Sequence, residues 1–188
     1  MPREKFGSDH TFLSKSEILS YEEINRFVLA CKPLGLQKVR ITGGEPLLRK
    51  DIHKLVKMIS GLGIETALTT NGSLLSGQLS KLARSGLDRV TISLDAMDQE
   101  THSRITDSTF SVSDILEGIM EASSLGLEPV KVNCVVRRGV NESEVPKLVR
   151  KFRGTGVIVR FIEFMDVGST NGWTPGQVVP SSEILDFL

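Results

Sequence analysis

Cysteine is nearly absent. Cys31 and Cys134 are the only two, far apart, with no C-x-x-C and no neighbouring histidine. That spacing excludes a zinc or iron–sulfur ligand set built from this chain's cysteines. Both lie in apolar runs and are read as buried core thiols. His10, His53 and His102 are scattered and indicate no metal site. Charge of one sign is missing too. The 23 basic and 23 acidic residues cancel, so no global field favours nucleic acid or an anionic membrane, and only a local basic pocket stays open. No apolar run approaches the roughly 20 residues of a membrane span. The N-terminus, MPREKFGSDH, has neither the apolar core of a secretory signal nor the acid-poor composition of a transit peptide. A cytosolic chain is expected.

What is present is a rhythm. With 39% apolar and 24% charged residues, the chain reads as one soluble domain, 1–188, with no internal boundary. YEEINRFVLACKPLG places Ile24, Phe27, Val28 and Cys31 on one helical face, with Ser20 and Glu23 as a capping box. KVRI predicts a strand. DIHKLVKMISGLG predicts a helix with Ile52, Leu55, Val56 and Ile59 inward. Strands ETALTT, DRVTISLD, EPVKVNCVV and GVIVRFIEFM alternate with helices SGQLSKLARSG, SVSDILEGIMEASSLG and NESEVPKLVRKFRG, the last with Asn141 as a cap candidate and Pro146 in its first turn. A final helix starts at SSEILDFL. Five βα alternations without a hairpin signal imply an α/β fold with a parallel sheet, its strands covered on both faces. Two architectures fit: an open doubly wound sheet, or an arc of a (β/α) barrel whose full eight units take about 250 residues. The first 14 residues and MDVGSTNGWTPGQVV are read as irregular.

Ligands of parallel α/β folds bind at the carboxyl ends of strands. There the sequence places Thr42-Gly43-Gly44-Glu45-Pro46, Thr69-Thr70-Asn71-Gly72, Ser93 with Asp95, Lys131 with Asn133, and Arg160, Glu163, Met165 and Asp166. Thr, Asn, Gly and Asp are ordinary turn residues. Lys131, Asn133, Arg160 and Glu163 are not, and they interrupt apolar strands where an unpaired charge is costly. Lys131 and Asn133 share a strand face, while Arg160 and Glu163 lie on opposite faces of a regular strand. An inward Lys and Arg would form a cationic pocket for a polyanion such as a phosphate chain. Gly43 and Gly44 let a ligand approach the main chain. Glu45 can balance an ammonium or cap an amide. The segment is neither a Walker loop nor G-x-G-x-x-G.

TGGEP resembles the GGEP motif of radical S-adenosylmethionine enzymes. Together, KVRITGGEPLLR, LTTNG, VTISLDA, VKVNCVV, VRFIEFMDVG and NGW resemble the GTP 3′,8-cyclase family of molybdenum cofactor (molybdopterin) biosynthesis, over the whole chain. The resemblance implies a partial (β/α) barrel of radical S-adenosylmethionine type, here about five βα units without the first strand. It implies a lyase with two [4Fe–4S] clusters. A 5′-deoxyadenosyl radical from S-adenosylmethionine takes hydrogen from the ribose of GTP, and 3′,8-cyclo-7,8-dihydro-GTP forms. By the same resemblance Gly44, Ser93 and Met165, with Glu45 at the amino group, contact S-adenosylmethionine. Arg40, Thr69 and Lys131, with Lys38 and Arg160 at the triphosphate, contact GTP. A homodimer in the cytoplasm, or in mitochondria for a eukaryotic source, is the family expectation. Nucleic acid and membrane partners are not expected.

The chain departs from the family in one large respect. In the family Met-Pro directly follows the third cysteine of a C-x3-C-x2-C loop; here Met1-Pro2 open the chain. The expectation is a fragment. It would lack the first strand, that loop, an upstream GTP-contacting arginine and a C-terminal three-cysteine segment. No cyclase activity of the chain alone is expected, and an opened barrel edge should make it poorly soluble. Three other readings stand beside this one: another radical S-adenosylmethionine enzyme, a cluster-free aldolase-type barrel with Lys131 as a Schiff-base lysine, and a non-catalytic nucleotide- or partner-binding remnant.

Overall fold

The computed structural model describes residues 17–167 and 172–188. The N-terminal irregular stretch with Met1-Pro2 and His10, and Asn171 of NGW, lie outside the described residues.

Five strands form one all-parallel sheet: β1 (Lys38–Ile41), β2 (Glu65–Thr70), β3 (Arg89–Ser93), β4 (Lys131–Val136) and β5 (Ile158–Glu163). Their spatial order is their chain order, β1-β2-β3-β4-β5. A doubly wound sheet would reverse direction at a switch point. Unbroken progression is the arc of a barrel, which decides between the two expected architectures. The crossovers carry α1 (Tyr21–Cys31) before β1, then α2 (Ile52–Ser60), α3 (Leu79–Arg84), α4 (Gln99–Thr106), α5 (Val112–Ser124) and α6 (Val145–Phe152). α7 (Ser181–Asp186) follows β5.

Alternation along the strands separates two faces. Ile41, Leu68, Val90, Ile92, Val132, Cys134 and Val136 point toward the helices. They join Ile52, Leu55, Val56 and Ile59 of α2, Ile115 and Ile119 of α5, and Leu148 and Phe152 of α6 in one buried cluster. The opposite face is not covered as expected. Lys38, Glu65, Thr69, Arg89, Ser93, Lys131 and Asn133 are half-buried there, and Arg40 and Arg160 are exposed. Helices of a βα arc pack on its convex side only, so the concave side is free to carry polar groups.

The Ser20–Glu23 capping box forms as expected, with Glu23 N–H donating to Ser20 Oγ and Ser20 N–H to Glu23 Oε2 at 2.7 Å. Three expectations are corrected. Phe27 is 69% exposed, because α1 buries only the narrow stripe around Val28. Cys31, on the last turn of α1, is half-buried, whereas Cys134 is buried. Asn141 caps no helix. A short 3-10 turn, Glu142–Glu144, precedes α6, and the Asn141 amide turns inward instead. Helix α4 was not anticipated, since QETHSRIT has no apolar period. Its start is set by Asp98, whose carboxylate accepts from Thr101 N–H at 2.8 Å.

Candidate functional site

The loop after β1 is held by one carboxylate. Glu45 Oε1 accepts from Leu47 N–H at 3.0 Å and Thr70 Oγ1 at 2.8 Å, and Oε2 accepts from Asn71 N–H at 2.7 Å. Thr70 Oγ1 in turn accepts from Gly72 N–H. Glu45 thus ties the ends of β1 and β2 together. Of about four lone-pair positions on a carboxylate, three are used, leaving one on Oε2 for a ligand donor. Gly43 adopts φ 152°, a region favouring glycine, and Pro46 begins the 3-10 turn that follows. A Cβ added at Gly44 would meet no atom within 4 Å. The space above it is open for a ligand rather than filled by protein.

That space is a cleft of about 430 Å³ at the carboxyl rim, lined by Gly44, Asn71, Ser93 and Asp95, and by His102, Ile105, Thr106, Asp107, Ser108 and Phe110 of and after α4. Gly44 and Ser93 are therefore brought together. Glu45 braces the floor beside them. Met165 is not among the lining residues; it follows β5 and is 55% exposed. The α4 wall and the buried His102 escaped the sequence reading. A second cleft of about 370 Å³, lined by Arg104, Val135, Arg137, Val140, Asn141 and Phe164, lies across Ile105, which lines both.

Asp95, His102 and Asp107 are the titratable side chains lining the first cleft. Burial pushes the Asp95 carboxyl up to about 6, against the opposing pull of the Val135 N–H it accepts at 2.7 Å. Its folded-state pKa lies above the unfolded value of 3.8. The native chain therefore holds this proton more tightly. The stabilisation is full below about pH 4 and is lost as pH rises to about 6, a swing of about 3 kcal/mol. Asp95→Asn keeps an oxygen for Val135 and removes the charge. It should flatten this segment of the stability–pH curve and raise the melting temperature at pH 7. Denaturant melts of both chains at pH 4, 5, 6 and 7 check this; parallel curves would refute it.

The second group of predicted residues runs across the concave face. Arg40 Nη1 donates to Thr69 Oγ1 at 2.9 Å and Thr91 Oγ1 at 3.1 Å, so its guanidinium reaches across β2 to β3. Lys38 and Arg89 share Glu65 Oε1, at 2.6 and 3.0 Å. Arg160 Nε donates to Asn133 Oδ1 at 2.9 Å. Lys131 sits among these cations. Its pKa is lowered by burial first, then by Arg160, Lys38, Arg89 and Arg40. One carboxylate, Glu65, faces five cations. Arg40, Lys131 and Arg160 have no carboxylate partner among the described residues. Glu163, on the other face of β5, is occupied by Ser181, whose N–H and hydroxyl both donate to it at 2.6 Å.

The position of Lys131 is a correction. β4 begins at Lys131, directly after Val130, so Lys131 lies at the amino end of the strand and Asn133 in its middle. Lys38 likewise opens β1. The cations line the floor of the arc while Gly44 and Ser93 form its rim. Glu65, Arg89 and Thr91 were overlooked; RVTIS alternates polar with apolar residues at period two, the signal that finds Arg89 and Thr91, whereas ETALTT has no such alternation to mark Glu65.

No group of three or more His, Cys, Asp or Glu converges for a metal ion among the described residues. The Cys134 thiol, 3.7 Å from the Asp95 carbonyl, has its pKa pushed up by burial and then by Asp95 and Glu144, the reverse of what a thiolate ligand needs. The two cysteines do not fit an iron–sulfur cluster.

A sheet that progresses without reversal, with a GGEP loop at its carboxyl rim, defines a class. Residues 5–152 match the radical SAM superfamily, and the chain belongs to it. Within the superfamily it is similar to the GTP 3′,8-cyclase of Acidothermus cellulolyticus, 49% identical over 98% of this chain and 52% of that protein. It is also similar to that of Xanthomonas axonopodis pv. citri, 46% identical over 98% of this chain and 55% of that protein. The chain spans about half the length of the curated relatives it matches. Among solved structures, a radical SAM methyltransferase from Sphaerobacter thermophilus shares the fold at a TM-score of 0.69 and 19% identity, over 90% of this chain and 53% of that one. A domain of a pyruvate-formate lyase-activating enzyme from Bacteroides vulgatus does so at 0.63 and 19%, over 80% and 89%. These relatives do not favour the aldolase-type reading. They are bacterial, so the mitochondrial alternative finds no support. Among the described residues no helix is long and apolar enough to cross a membrane.

Proposed function

We propose that the chain is the ligand-binding core of a GTP 3′,8-cyclase acting in the cytoplasm at the first step of molybdenum cofactor biosynthesis. The observation that carries this is the row of under-neutralised cations on the concave floor, directly below an open rim cleft. GTP lies along the floor. Arg40, Lys131, Lys38 and Arg160 meet its triphosphate, and Thr69, already bonded to Arg40, aligns it. S-adenosylmethionine occupies the rim cleft. The open face of Gly44 and the hydroxyl of Ser93 receive it and the last free lone pair of Glu45 takes its ammonium, while Met165, after β5 and outside the cleft lining, is a contact by family resemblance only. When bound beside a reduced [4Fe–4S] cluster, S-adenosylmethionine supplies hydrogen-atom abstraction. The residues of this chain do not hold such a cluster, so their own contribution is to bind and orient the two ligands face to face. Calorimetric titration tests the reading. The chain should take up one GTP, less tightly as salt rises, and one S-adenosylmethionine. Heats indistinguishable from dilution for both ligands would refute it.

A further inference from the structure

Where β3 and β4 part, side chains take over from the ladder. The last main-chain bond between them is Leu94 N–H to Asn133 O at 2.9 Å. Beyond it the Asp95 carboxylate accepts Val135 N–H. Asn141, 1% exposed, does the rest. Its Nδ2 donates to Asp95 O at 2.7 Å and Val135 O at 2.9 Å, and its Oδ1 accepts Arg137 N–H at 2.8 Å. Both donors of the amide and one of its oxygen's two acceptor positions are engaged, and the three main-chain groups it serves belong to two different strand ends. Glu144 extends the clasp. It is buried to 1% exposure, and its Oε2 accepts Met97 and Asp98 N–H at 2.8 and 3.1 Å, at the start of α4.

We propose that Asn141 is a positioning residue for S-adenosylmethionine: it fixes the Asp95 main chain against β4 and thereby sets Ser93, Asp95 and the α4 wall at the cleft. This rests on the reading of the rim cleft as the S-adenosylmethionine site. Asn141 touches no ligand in that cleft; it lines the neighbouring one and acts through Asp95. The placement is specific to the rim. Lys38 and Lys131 stand at the opposite ends of their strands and share no bond with the clasp.

The consequence is a split between ligands that general loosening would not produce. Asn141→Ala leaves the Asp95 and Val135 carbonyls and the Arg137 N–H without partners. It should weaken S-adenosylmethionine binding to the 188-residue chain by roughly tenfold or more and leave GTP affinity within about twofold, both read by calorimetry. Asn141→Asp has nearly the same shape, keeps the acceptor for Arg137 and loses both donors, and should show the same split. Equal loss for the two ligands, no loss for either, or failure of both variants to fold would overturn the proposal. Unaltered chain that binds GTP but no S-adenosylmethionine would sink the reading of the cleft, and this inference with it.

Discussion

Lys131→Glu should weaken GTP binding by at least about a hundredfold while leaving the melting temperature unchanged or raised. Lys131 has no carboxylate partner among the described residues, and Arg160, Lys38, Arg89 and Arg40 all depress its pKa after burial does. It is held in place against repulsion. Removing the charge relieves the free protein and deprives the ligand, and reversing it also sets a carboxylate against a phosphate chain. Truncating one member of a desolvated charge pair costs about 2–5 kcal/mol, and each 1.4 kcal/mol is tenfold. Lys131→Met, which keeps the stem and loses the charge, should sit at the low end of that range, about thirtyfold weaker. The contrast should shrink at high salt. A folded Lys131→Glu chain that binds GTP as the parent does would contradict the placement of the triphosphate.

Glu45→Ala should be the most damaging substitution at the rim. One carboxylate serves Leu47 N–H, Thr70 Oγ1 and Asn71 N–H, so alanine strands three donors at once. Hydrogen bonds to a charged group are worth about 1.5–3 kcal/mol each. The half-buried loop admits some water, which lowers the total to an expected loss of about 2–4 kcal/mol. Asn71 and Gly44 both line the cleft, so S-adenosylmethionine binding should fall with stability. Glu45→Gln keeps one oxygen and should land between the two. Urea midpoints read the difference. An alanine chain with the parent's midpoint would show that the ends of β1 and β2 need no such brace.

Period-two and helical spacing carry the element order in this chain because the convex face is largely apolar, with the buried Thr66 and Thr70 of β2 as exceptions. Ile41, Leu68, Ile92, Val132 and Cys134 against Ile52, Leu55, Val56 and Ile59 leave little choice of orientation. The barrel arc was not decidable from the same pattern, since strand order is a tertiary property. Phe27 misled because helical spacing reports where a side chain points and not whether anything covers it. Asn141 looked like a cap because Asn before a helix usually is one; three unpaired main-chain groups at the β3–β4 divergence competed for its amide and won. α4 hid because its wall is polar outside and carries only His102 as a buried residue. At the site, Gly44 and Ser93 were legible as loop and strand end. Lys131 was legible as a misplaced charge, but its end of the strand was not, because EPVKVNCVV reads as a strand from Glu128 whereas β4 begins three residues later, at Lys131.

The central claim is that two ligands occupy two levels of one concave face. The most direct test is amide chemical-shift mapping of the chain titrated separately with GTP and with S-adenosylmethionine. GTP should move the amides of Lys38–Ile41, Thr91 and Lys131–Asn133 at the floor. S-adenosylmethionine should move those of Gly43–Glu45, Asn71–Gly72 and Ser93–Asp95 at the rim, and either should bind with the other present. Shifts from both ligands on the same residues, with one displacing the other, would contradict the account.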